Sequence, residues 1–161
     1  MTRLQLNLNS NVSRTNTFTF CTGQSINSPT SPSAGNGLKN SGRISRIVVH
    51  PNDPDIVYVG SLGHAYSPQK ERGVFITHDG GSSWKHTLFV DQNTGISDIV
   101  MDSDNPRILF AGAWHLELKT WQRISGGPGS GIFKSTDAGL TWNRLKGNGL
   151  PIKDVGKIAL A

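Results

Sequence analysis

Three features of the sequence predict an all-β fold. Short β-branched runs alternate with Asn, Asp, Pro and Gly, and no stretch keeps apolar residues at i, i+3, i+4 and i+7 without an intervening Gly or Pro. The third feature is an internal repeat: Ile44–Gly60 aligns with Ile96–Gly112 at an offset of 52, and Gly73–Trp84 aligns with Gly131–Trp142 at an offset of 58. The difference places six extra residues in the middle loop of the second copy. Four short antiparallel strands recurring every 50 to 60 residues are the signature of propeller blades. The prediction is therefore a partial β-propeller of about two to three four-stranded antiparallel blades.

Residues 1–36 form a polar leader rich in Asn, Ser and Thr, with a low-complexity stretch at 28–36. The codons compatible with Gln24–Gly35, read from the third base of the Gln24 codon, permit Ile/Val-Tyr-Lys-x-Thr-Asp-x-Ala/Thr-Lys-x-Trp. That string is close to Ile132–Trp142, so the leader is expected to be either polar coding sequence or an out-of-frame remnant of a preceding blade. Residues 37–161 carry the partial propeller, with blades at 42–90 and 94–147 and the first strand of a further blade at 155–161. In the first blade the strands are Ser45–His50, Ile56–Leu62, Gly73–Thr77 and Trp84–Phe89. A Pro51-Asn-Asp-Pro54 turn joins the first two, a loop joins the next two, and a tight Asp79-Gly-Gly-Ser82 turn joins the last two. The second blade repeats the plan.

The tight turn is the most specific signal. Thr77-His-Asp79-Gly-Gly81-Ser-Ser-Trp84 and Ser135-Thr-Asp137-Ala-Gly139-Leu-Thr-Trp142 both fit Ser/Thr-x-Asp-x-Gly-x-Ser/Thr-Trp. A carboxylate two residues after a hydroxyl can accept backbone N–H groups inside the turn. Glycine at the fifth position permits positive φ, and the indole packs back on the blade. The pattern resembles the Asp-box, or bacterial neuraminidase repeat, which implies a structural role for these eight residues and places them away from an active centre.

The likeness extends to GRISRIVVHPNDPDIVYVGSLGH, ERGVFITHDGGSSW, VDQNTGISDIVMDSDNPRILFAGAW and ISGGPGSGIFKSTDAGLTW. Together these resemble bacterial sortilin-type, glycosyl-hydrolase-like repeat propellers and are similar to xyloglucanase-type propellers, across residues 37–161. The resemblance implies an internal piece of a larger propeller, with the remaining blades as partners, and suggests an exported bacterial protein, although no signal peptide is visible. Sortilin-type proteins bind peptides, and xyloglucanases cleave β-glucans with a carboxylate pair. Neither set of functional residues maps onto numbered positions of this chain. The expected function is noncatalytic binding of protein, peptide or glycan through face loops. The alternative is a xyloglucanase- or sialidase-like glycoside-hydrolase propeller whose catalytic carboxylates lie mostly outside the segment.

Composition narrows the chemistry. A single cysteine, Cys21, excludes an intrachain disulfide and a cysteine-built zinc site. The net charge of +5 comes from 16 Lys and Arg scattered without a cluster, so no nucleic-acid partner is expected. No apolar run approaches the ~20 residues of a membrane-crossing helix. No cofactor or metal is implied: Asp102-Ser-Asp104-Asn105 has acidic spacing but lacks the glycine and distal glutamate of a cation loop. Gly126–Gly131 lacks the Lys-Ser/Thr ending of a phosphate loop.

Weak catalytic candidates are Glu71 and Glu117, read as one in each long middle loop on a common face. Tyr58 alternates with Val57 and Val59 and reads as core. Ligand candidates sit in the longer loop, 115–130, where Trp121 and Arg123 follow His115, with His64 at the matching position of the first copy.

Overall fold

The computed structural model describes residues 38–147, 149–151 and 154–161. The leader and the proposed out-of-frame stretch, with Cys21, lie outside the described residues. Strands β1 (Arg43–His50), β2 (Asp53–Gly63), β3 (Gly73–Thr77) and β4 (Lys85–Leu88) form one sheet in the order β1-β2-β3-β4. The second sheet contains β5 (Thr94–Met101), β6 (Leu109–Lys119), β7 (Gln122–Ser125), β8 (Gly131–Ser135) and β9 (Asn143–Arg144). It repeats the antiparallel meander as β5-β6-β8-β9, with β7 paired to the far half of β6. Two consecutive up-and-down sheets of this kind are a partial β-propeller.

The sheets pack face to face because their central strands are apolar on both sides. Tyr58, Val74 and Ile76 of the first sheet are fully buried, as are Ile96, Ile99, Leu109, Ala111 and Ala113 of the second. Burying each isoleucine contributes about 1.5–3 kcal/mol relative to leaving it in water. Small residues let the backbones approach closely. A Cβ at Gly95 would meet the Leu62 backbone at 2.6 Å.

A repeated hydroxyl latch joins one layer to the next. Ser45 Oγ reaches the carbonyls of Gly60, 3.1 Å away in its own sheet, and Ile96, 2.5 Å away in the next. Fifty-two positions on, Ser97 Oγ reaches Gly112 O at 3.1 Å and Ile158 O at 2.6 Å. Residues 155–161 therefore lie where a following layer would begin, with Leu160 N also donating to Asp98 Oδ2 at 3.0 Å. They form no strand, contrary to expectation: the backbone partner that a strand needs is absent among the described residues.

Two other expectations are corrected. The fourth strand of the first sheet starts at Lys85 because the Trp84 indole turns back to Gly81 O, 3.1 Å away, and belongs to the turn. Residues 116–125 are an antiparallel ribbon, Leu116 pairing with Ser125 and Lys119 with Gln122, where the sequence reads as loop. The alternation across Leu116, Leu118 and Ile124 is strand-like, but the polar tip and following glycines mask it.

Candidate functional site

The two tight turns are built alike. In the first, Thr77 Oγ1 donates to Asp79 Oδ1 (2.7 Å) and accepts from Gly81 N (2.9 Å), while Asp79 accepts from Ser83 N (2.8 Å) and Ser83 Oγ (2.5 Å). In the second, Ser135 Oγ donates to Asp137 Oδ1 (2.7 Å) and accepts from Gly139 N (2.8 Å), while Asp137 accepts from Thr141 N (2.9 Å) and Thr141 Oγ1 (2.6 Å). Gly81 and Gly139 have φ of 94° and 79°, the conformation that closes each turn. Trp142 Nε1 donates to Gly139 O (3.1 Å) and reaches Thr87 Oγ1 of the first sheet (3.3 Å). Tyr58 Oη crosses the other way to Ala138 O (3.0 Å). The second turn thus also fastens the two sheets together.

Hydrogen bonds from Ser83 and Thr141 hold the Asp79 and Asp137 carboxyls down to about 2, against an ordinary 3.8. The sign follows from a lowered folded-state value. Their contribution is complete above the ordinary value and is lost as pH falls from 3.8 toward about 2. Urea midpoints are expected to fall across that window in the parent protein. In an Asp79→Asn/Asp137→Asn variant they should start lower and vary less steeply. Equal slopes in the two proteins would contradict this assignment.

Chain topology puts these turns at one end of β3 and β8, and the β2–β3 loop, the β4–β5 link and the ribbon at the other. At that second end, Arg72 is the largest fully buried side chain, 1% exposed. Its Nη1 donates to Asn93 O (2.8 Å) and Leu116 O (3.4 Å), and its Nη2 to His64 O (2.9 Å) and Ser67 O (3.3 Å). One guanidinium therefore ties the β2–β3 loop to the β4–β5 link and to β6. Its Nε has no partner among the described residues, and a side chain on Gly63 would collide with its Cγ at 2.5 Å. Burial pushes the Arg72 pKa down, with Arg43 acting the same way, and Asp91 and Glu117 oppose it.

Above Arg72 runs a polar chain. Thr94 Oγ1 donates to Asp91 Oδ2 (2.7 Å) and faces His115 Nδ1 (3.3 Å), and His115 Nε2 faces Glu117 Oε1 (3.1 Å). Asn93 Nδ2 donates to the same Oε1 (3.3 Å). The carboxylate is thus held in one orientation at the edge of a cleft between the sheets. Ala65, Tyr66, Ser67 and Pro68 form one wall, Leu116–Lys119 the other, and Arg72 and Asn93 the floor.

The sequence-predicted residues separate in space. Glu117 lies on β6 and not in a loop, because the ribbon extends the strand past it. Glu71 lines a different cleft, with Leu38, Phe75 and Trp84, so the two glutamates do not share a cleft. His115 joins Glu117, whereas His64 is exposed and contributes its carbonyl to Arg72. Trp121 stands at the ribbon tip, 82% exposed, and Arg123 lies over the buried Trp114 ring at 5.6 Å. Asp102 caps its own turn, accepting from Asp104 N (2.9 Å) and Asn105 N (3.1 Å). Sequence reasoning passes over Arg72, Asp91, Asn93 and Thr94. The usable signal is a break in the repeat, since copy two has Ser130 where copy one has Arg72.

The sequence matches no protein-family model and no curated protein. Among solved structures, an ancestral GH74 enzyme is 21% identical, with a TM-score of 0.48, over 68% of this chain and 13% of that one. A GH74 enzyme of Niastella koreensis is 22% identical, with a TM-score of 0.43, over 63% of this chain and 13% of that one. The chain thus spans 13% of the length of either structure.

Proposed function

We propose that the chain is a segment of a noncatalytic, sortilin-like propeller that binds protein, peptide or glycan through the face carrying the β2–β3 loop and the β6–β7 ribbon. The observation that carries this reading is aromatic exposure on that face. Trp121 is 82% and Tyr66 78% exposed, on elements anchored from beneath by Arg72. Large exposed rings on a rigid support are the usual anchors of recognition surfaces. In this reading the two tight turns are Asp-boxes with a structural role, and residues 37–161 comprise blades 42–90 and 94–147 and the start of another. The remaining blades are the first partner, supported by the Ser97 latch that already holds Ile158 as Ser45 holds Ile96.

Trp121→Ala is expected to abolish binding on peptide and glycan arrays while circular dichroism stays unchanged. Undiminished binding by the variant would remove the proposal. A second reading, a glycoside-hydrolase propeller, draws support from Glu117 at the inter-sheet cleft. Among the described residues lining that cleft Glu117 has no facing carboxylate, and both acids of a hydrolytic pair must flank one bond. Release of reducing sugar from β-glucans by the full-length parent, lost in Glu117→Gln, would favour the second reading over the first.

A further inference from the structure

We propose that the cleft between Tyr66 and Glu117 is a subsite for one neutral sugar ring, a reading that rests on the loop face being the binding face. Size is the first argument. The cleft has a volume of about 170 Å³, below the roughly 300–1,000 Å³ of pockets that take drug-sized ligands. A space of this size matches one sugar ring.

Charge is the second argument. Arg72 and Lys119 offset Glu117 and the neighbouring Asp91, which leaves no uncompensated negative field for a cation. Glu117 and Asp91 equally oppose an anion. A neutral ligand remains, and hydroxyl groups fit the donors and acceptors available. Glu117 Oε1 is occupied by Asn93 and His115, and Oε2 takes no hydrogen bond from the described residues, so the carboxylate keeps accepting capacity. Lys119 brings donors to the same wall.

Tyr66 supplies the apolar contact. It is 78% exposed and lines the cleft, presenting an amphipathic ring to the apolar face of a pyranose. The site is preorganised, since Asn93 and His115 fix the carboxylate and Arg72 fixes the carbonyls of Asn93, Leu116 and Ser67 around it.

The test is an amide-resolved NMR titration of the whole chain with methyl glucoside, methyl galactoside, methyl mannoside and N-acetylglucosamine. A tri-alanine peptide serves as the competing class. At least one glycoside is expected to shift the amides of Tyr66, Asn93 and Glu117 saturably. Glu117→Ala and Tyr66→Ala should each weaken that binding roughly tenfold, the value of one charged hydrogen bond or one stacking contact. Tyr66→Phe should retain it.

No saturable shift with any glycoside, or the same shifts with the peptide, would overturn the subsite. If cleft amides stay silent while array ligands still depend on Trp121, the subsite fails and the binding-face reading stands. If neither responds, both fail.

Discussion

Arg72→Ala is expected to lower the unfolding free energy by at least about 1–3 kcal/mol, the usual cost of leaving polar groups without their hydrogen-bond partner. The change leaves four carbonyls, those of His64, Ser67, Asn93 and Leu116, without their donor in a partly buried site. Arg72→Lys should recover only part of the loss, because an ammonium has three donors on a point and cannot span two elements as the planar fork does. Urea denaturation of the three proteins measures both steps. A lysine variant as stable as the parent would show that the fork geometry contributes nothing.

Gly95→Ala carries the other large effect. Its new methyl would sit 2.6 Å from the Leu62 backbone, and backbone cannot rotate away as a side chain can. The first sheet must shift away from the second, at a cost of at least about 1–3 kcal/mol, the range for forced overpacking. Gly156→Ala is the control, since its methyl would find nothing nearer than Ser125 Oγ at 3.6 Å. Calorimetric melting should show a large drop for the first variant and almost none for the second.

The parts of the fold written in local chemistry can be read directly. Gly73–Thr77 is a strand at the expected residues because Val74, Phe75 and Ile76 are bounded by a glycine and a tight turn. The turns at Asp79 and Asp137 close through hydrogen bonds two to four residues long, so their sequence contains their whole mechanism. Tyr58 is core as expected, yet its hydroxyl partner Ala138 lies 80 positions away and no local pattern announces it. The candidate site is less legible for the same reason. Arg72 reads as one solvated cation among 16, and only the meeting of three elements around it makes it buried. Glu117 stands out in the sequence as an acid, but its contacts with His115 and Asn93 depend on β6 continuing as a strand through His115 and on to Lys119.

The two sheets are successive layers held as one unit by a shared core and the Arg72 clasp. Native-state hydrogen exchange tests it directly, by comparing amides of Val57–Val59 in β2 with those of Ala111–Ala113 in β6. The parent protein is expected to give one common opening free energy for both groups, and Arg72→Ala to lower the two together. Separate opening free energies in the parent, with Arg72→Ala affecting one sheet alone, would contradict it.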